Sequence, residues 1–186
     1  METTELEIKG VFLIKPQIFG DQRGWFYETY NEERYKAAGI TETFVQDNQS
    51  FSQKNVVRGL HFQKPPFTQA KLVSVIQGKV LDVAVDLRKG SPTYGKYVSA
   101  LLTGENHHQL FVPKGFAHGF SVLEDNTIFA YKCSALYNKA SEGSIIFNDP
   151  DIGVDRPAEN PKTADNDTQL PQHKQCVASN KIIVPT

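Results

Sequence analysis

Short apolar runs broken by turn signals dominate residues 44–146. A run at 71–76 is followed by Gln77-Gly78-Lys79, a turn signal, and then by a second run at 80–87. In the second run Leu81, Val83, Val85 and Leu87 share one face, and Val80, Asp82, Ala84 and Asp86 share the other. Further strands are predicted at 97–102, 109–112, 119–123 and 127–133. Turn-rich segments separate them: Lys89-Gly90-Ser91-Pro92, Gly104-Glu105-Asn106 and Glu124-Asp125-Asn126. One short helix is predicted, with Asn31 as its cap, Glu32 and Glu33 at its positive end, and Gly39 as its stop. Many short strands with almost no helix predict an all-β fold, most simply a double-stranded β-helix or jelly roll.

The stretch from Asp149 to Asn166 breaks the pattern, with three prolines, many acids and little period. It reads as an irregular arm against the barrel, and 181–184 as one more strand. The chain of 186 residues suits a single domain over 1–186, with that arm over about 149–186. Twenty basic and twenty-one acidic residues leave a net charge of −1, which invites neither nucleic acid nor an anionic membrane. The acidic start Met1-Glu2-Thr3-Thr4-Glu5 does not read as a signal peptide, and no apolar run approaches a bilayer span. Cys133 and Cys176 sit in no CxxC or Cys/His cluster, so a disulfide framework or structural zinc is not expected. A cytoplasmic protein is the expectation.

Polar chemistry concentrates between Gln46 and Lys71. Arg58-Gly59-Leu60-His61-Phe62-Gln63 follows Gln46-Asp47-Asn48, and Lys71 comes ten positions after His61. Buried polar groups are costly unless paired, so several of them on strands aimed at one place suggest a site. Each candidate also has a structural reading. His61 beside Phe62 reads as a satisfied core histidine, Arg58 as a surface ion-pair residue, and Tyr131 as a core tyrosine. Asp82 and Asp86 read equally as solvated carboxylates on the polar face of a strand.

Two resemblances bear on the choice. Pro113-Lys114-Gly115-Phe116-Ala117-His118 resembles the second half-motif of metal-binding cupins. The first half requires His-x-His, whereas the chain has His61-Phe62-Gln63, and His107-His108 lies in a polar turn, so metal binding is not favoured. The wider set of motifs resembles the dTDP-4-dehydrorhamnose 3,5-epimerase family, the RmlC-type cupins. The matching segments are Phe19-Gly20-Asp21-Gln22-Arg23-Gly24-Trp25-Phe26-Tyr27-Glu28, Phe44-Val45-Gln46-Asp47-Asn48-Gln49-Ser50 and Val57-Arg58-Gly59-Leu60-His61-Phe62-Gln63. They continue with Asp82-Val83-Ala84-Val85-Asp86-Leu87-Arg88, Pro113-Lys114-Gly115-Phe116-Ala117-His118-Gly119-Phe120, Tyr131-Lys132-Cys133 and Asn148-Asp149-Pro150.

The resemblance implies a cupin-type jelly roll and an isomerase without metal or cofactor. It would act on a dTDP-4-keto-6-deoxyhexose in nucleotide-sugar biosynthesis. Protons on C3 and C5 lie α to the C4 ketone, so a base can remove one and an acid can return it on the opposite face. By resemblance His61 is the base, Tyr131 the opposing acid, and Lys71 the cation near the C4 oxygen. Thr163-Ala164-Asp165-Asn166-Asp167 is the nearest match to the segment that holds the family's orienting aspartate, so Asp167 takes that role, with Asp82 and Asp165 as alternatives. Arg23 and Arg58 would grip the diphosphate, and Phe26, Glu28, Gln46 and Asn48 the nucleotide and sugar, with His118 and Tyr137 close to the pocket. A homodimer whose N-terminal strands cross to the partner is also implied. The competing readings are a relative that epimerises one carbon, a silent sugar-binding jelly roll and a metal-dependent cupin.

Overall fold

In the computed structural model, which describes residues 1–154, 161–163 and 171–172, two antiparallel sheets face each other across a shared interior. One sheet has six strands in the order β1 (Glu2–Glu5), β2 (Phe12–Lys15), β10 (Gln109–Val112), β7 (Lys71–Gln77), β12 (Thr127–Cys133) and β5 (Gln46–Ser52). The other has five: β13 (Glu142–Ser144), β6 (Val57–Gln63), β11 (Phe116–Val122), β8 (Lys79–Asp86) and β9 (Tyr97–Thr103). A separate hairpin joins β3 (Phe19–Asp21) to β4 (Gly24–Phe26). The expected jelly roll is therefore the fold. The strand expected at 119–123 starts earlier, at Phe116, directly after the Pro113-Lys114-Gly115 turn.

Helix α1 (Glu32–Ala37) is the expected one: the Asn31 side chain accepts from the Arg34 N–H, with Glu32 and Glu33 in the first turn. Tyr35 on this helix packs with Ile14, Ile40, Ala70, Leu72 and Phe111 over part of the outer face of the six-stranded sheet. The interior between the sheets is filled at one end by Val73, Val75, Leu110 and Phe129 from one side and Val80, Ala84, Phe116 and Phe120 from the other. The Phe120 and Phe129 rings stack with centroids 4.0 Å apart and close that end.

Strand β8 has two buried faces, because Ile145, Phe147, Ile152 and Val154 lie over Val83, Val85 and Leu87 on its outer side. Asp82 and Asp86 lie on its other face, with Val80 and Ala84 toward the second sheet, and both are fully buried, which overturns the solvated reading. Asp86 accepts from the Arg88 backbone N–H and Nε at 2.9 Å each, Arg88 Nη2 at 2.8 Å, Ser91 Oγ at 2.6 Å and Thr93 Oγ1 at 2.7 Å. Burial alone would raise this carboxyl, but those donors outweigh it and hold it below the ordinary carboxylate range. The start of the C-terminal arm is the cover over β8. The rest of the arm beyond 154 and the strand expected at 181–184 fall largely outside the described residues.

Strand β6 carries one residue too many for its neighbour. His61 pairs with His118 and Arg58 with Phe120, so Gly59 and Leu60 together oppose Gly119 alone. Strict alternation would send Arg58 and His61 to opposite faces. The bulge puts Val57, Leu60 and Phe62 in the outer cluster and leaves Arg58 and His61 facing inward. Gly59 adopts φ +103°, and a Cβ there would lie 2.6 Å from the His118 carbonyl oxygen and 2.8 Å from Gly119 Cα. Both contacts are backbone and have no side chain to swing aside. Gly59→Ala should therefore destabilise the fold by more than about 1 kcal/mol. The measure is the urea midpoint of the variant against the parent, and an unchanged midpoint would show that the bulge tolerates a side chain.

Candidate active site

Where the apolar packing ends, the interior opens into a cavity of about 310 Å³. His61, Phe62 and Gln63 come from β6, Lys71 from β7, Tyr131 from β12 and Gln46 and Asn48 from β5. Gln69, Tyr137 and Glu142 complete the lining. His61 and Tyr131 thus belong to facing sheets, with Lys71 beside Tyr131. The Lys71 ammonium lies 5.6 Å from the centroid of the Tyr131 ring.

Burial raises the Tyr131 hydroxyl above its ordinary value, and Arg58 and a hydrogen bond with Asn48 offset this only in part. The phenol is held in its protonated form, the form that can give a proton away. Burial pulls Lys71 below its ordinary value, while Cys133, Asp82 and Glu142 act to keep it charged. Asn48 donates to Cys133 Sγ at 3.6 Å and Gln46 donates to Asn48 Oδ1 at 3.1 Å, so the polar row along β5 is internally linked. Arg58 stays close, its Nε donating to Ser52 Oγ at 3.2 Å.

Two histidines face each other in register and differ in their partners. His61 Nδ1 is 2.8 Å from Ser144 Oγ on β13. His118 is buried, and its Nε2 lies 3.0 and 2.9 Å from the two carboxylate oxygens of Asp82. Asp82, one candidate for the carboxylate behind His61, therefore directs both oxygens at His118. Asp165 and Asp167 lie outside the described residues.

Three sequence candidates stand apart from the cavity of their own chain. Arg23 sits on the β3–β4 hairpin with its side chain 89% exposed and paired to Asp21. Phe26 is likewise exposed, and Glu28 is paired with Arg34. Tyr137 is at the cavity rim, its hydroxyl donating to Glu142 Oε2 at 3.1 Å. Sequence reasoning missed Glu142 and Ser144, which follow a short 3-10 turn (Lys139–Ser141) in a stretch with no apolar period to flag it. His107 of the His107-His108 pair is enclosed, its ring 4.4 Å from Trp25 and 4.8 Å from Tyr27 between centroids. Among the described residues no group of three or more His, Cys, Asp or Glu is arranged to hold a metal ion, and no helix is long and apolar enough to cross a membrane.

A family model described as dTDP-4-dehydrorhamnose 3,5-epimerase matches residues 5–175. The chain is 46% identical to the dTDP-4-dehydrorhamnose 3,5-epimerase of Shigella flexneri over 168 residues, 90% of this chain and 93% of the relative. A solved structure of the dTDP-6-deoxy-D-glucose-3,5-epimerase of Legionella pneumophila Philadelphia 1, in complex with dTDP-4-keto-L-rhamnose, superposes with a TM-score of 0.92 at 45% identity. That match covers 97% of this chain and 96% of the other. The epimerase of Mycobacterium tuberculosis superposes with a TM-score of 0.94 at 39% identity, covering 98% and 93%.

The burial of Lys71 has a testable consequence. Its depressed value means the folded state resists holding this proton, and the cost is fully present well below that depressed value. Stability from this group rises with pH and the cost fades as the pH nears the ordinary lysine value. Lys71→Met should be more stable than the parent by about 1 kcal/mol at neutral pH, with the gain shrinking toward about pH 10. Urea titrations at the two pH values measure this, and a Lys71→Met protein less stable at neutral pH would show that the surrounding carboxylates outweigh burial.

Proposed function

The chain belongs to the dTDP-4-dehydrorhamnose 3,5-epimerase family, and from that membership we propose that it epimerises C3 and C5 of a dTDP-4-keto-6-deoxyhexose in nucleotide-sugar biosynthesis. One observation carries the assignment to this cavity: His61 and Tyr131 line it from facing sheets, with the Lys71 ammonium beside the tyrosine. A sugar ring held between them has its C3 or C5 proton toward the imidazole and its opposite face toward the phenol. His61 takes the proton, Lys71 steadies the oxygen of the enolate, and Tyr131 returns a proton from the other side. Arg58, Gln46, Asn48 and Tyr137 are read as binding residues, His118 as a buried neighbour of the pocket engaged with Asp82, and Asp167 as the carboxylate that orients His61.

We read the molecule as a cytoplasmic homodimer. The outer face of the six-stranded sheet is left partly uncovered by α1, with Ile76 and Phe51 exposed on it. Arg23, Phe26 and Glu28, on or just after an exposed hairpin away from their own cavity, would serve a partner's cavity.

Incubation with dTDP-4-keto-6-deoxyglucose in D2O, followed by NMR, tests the assignment. Deuterium should enter at both C3 and C5. Entry at one carbon would make this a single-site epimerase, and entry at neither would overturn the reading for this substrate. His61→Ala should abolish exchange. Tyr131→Phe should retain some exchange but lose complete epimerisation by a factor of about 100 or more, the scale of a lost general acid.

A further inference from the structure

We propose that Gln63 is a positioning residue for the epimerase reaction, its amide setting the height of the rim loop that carries Tyr137. The proposal rests on the epimerase reading for its kinetic part only. Gln63 ends β6 two residues after His61 and is 6% exposed. Its Nε2 donates to the Phe67 carbonyl at 2.7 Å and the Leu136 carbonyl at 3.2 Å, and its Oε1 accepts from the Asn138 N–H at 2.7 Å. One amide therefore ties two loops, 64–70 and 134–138, to the end of the strand that bears His61.

The loop at 134–138 has little else to hold its outer half. It belongs to no strand or helix, and Leu136 and Tyr137 are 63% and 55% exposed, so neither buries a side chain as an anchor. Gln69 Nε2 donates to the Ala135 carbonyl at 2.8 Å, and Gln46 Oε1 accepts from the Tyr137 N–H at 2.9 Å. Three glutamine side chains thus hold the backbone of four successive residues, and Gln63 alone contacts the residues on both sides of Tyr137. Asn138, which Gln63 fixes, also caps the 3-10 turn leading to Glu142, the acceptor of the Tyr137 hydroxyl. The position of the Tyr137–Glu142 pair at the cavity rim is thereby referred to the same strand as the base. An amide can do this because it donates and accepts at once; a carboxylate in its place would set negative charge against two carbonyl oxygens.

Hydrogen exchange tests the structural half without any ligand. In Gln63→Leu the backbone N–H groups of residues 134–138 should exchange about 10-fold faster or more, with the β-strand core unchanged. Unchanged protection of this loop overturns the proposal. A double-mutant cycle tests the functional half. Gln63→Glu alone should raise KM for dTDP-4-keto-6-deoxyglucose about 10-fold with kcat within about twofold. In a Tyr137→Ala background the same change should raise KM less than about twofold further, because the side chain it positions is gone. Additive effects in the cycle overturn the proposal, since a merely structural role would act regardless of Tyr137. If the parent protein does not turn over the keto sugar, the epimerase reading falls, and the same cycle is read in the Kd for dTDP-glucose, where coupling supports the positioning role and additivity overturns it.

Discussion

The single extra residue that β6 carries against β11 is the constraint on which the site depends. A strand in strict alternation can present Arg58 or His61 to the interior, not both. The bulge opposite Gly119 changes the phase of β6 between them, so Val57 and Leu60 stay in the outer apolar cluster while both polar side chains turn inward. The two backbones approach so closely there that each glycine is needed by the other strand: a Cβ on Gly119 would lie 2.5 Å from the Arg58 carbonyl oxygen. The outer cluster fixes the register from behind, because a slip by one residue would push Leu60 and Phe62 into the cavity and bury His61 under the arm.

A second consequence of the two-sheet interior is that its ends do different work. Stacked Phe120 and Phe129 seal one end, and Tyr131, two residues further along the same strand as Phe129, opens the other. Strands of seven or eight residues are thus long enough to be core over one half and site over the other. That division lets the fold tolerate Lys71 and Asp82 within the barrel, since the packed half supplies the apolar burial that the polar half cannot.

Much of this was legible in the sequence, and the losses have physical reasons. Short apolar runs and turn residues marked six of the longer strands and the helix cap, because those signals are local. The burial of Asp82 and Asp86 was not legible: alternation says which residues share a face, but not which face turns toward the second sheet. Here the face of Val80, Asp82, Ala84 and Asp86 turns inward while residues 145–154 cover the opposite face, and a face that reads as polar becomes interior. Glu142 and Ser144 were missed for a related cause, since they reach the site through the pairing of β13 with β6, a contact far apart in sequence. The resemblance to the epimerase family pointed to His61, Lys71 and Tyr131 from motifs, and the fold gathers them around one cavity, yet the phase change that brings Arg58 and His61 to one face is a property of paired strands and not of either alone.

The same pairing explains how Lys71 can serve as a cation in an enclosed place. Alone in an apolar interior, a lysine relieves the cost of burial by losing its proton. Asp82 and Glu142 oppose that loss, and Asp82 is itself fixed by both oxygens on His118. The contact with His118 thereby fixes where the Asp82 carboxyl stands relative to Lys71. In the proposed reaction an oxyanion forming near Lys71 would meet a positive charge already in place. The histidine opposite, His61, is only half-buried and rests on a hydroxyl in Ser144. Of the two histidines brought into register by β6 and β11, His118 is bound to a buried carboxylate and His61 lines the cavity, where the proposed reaction would place its base.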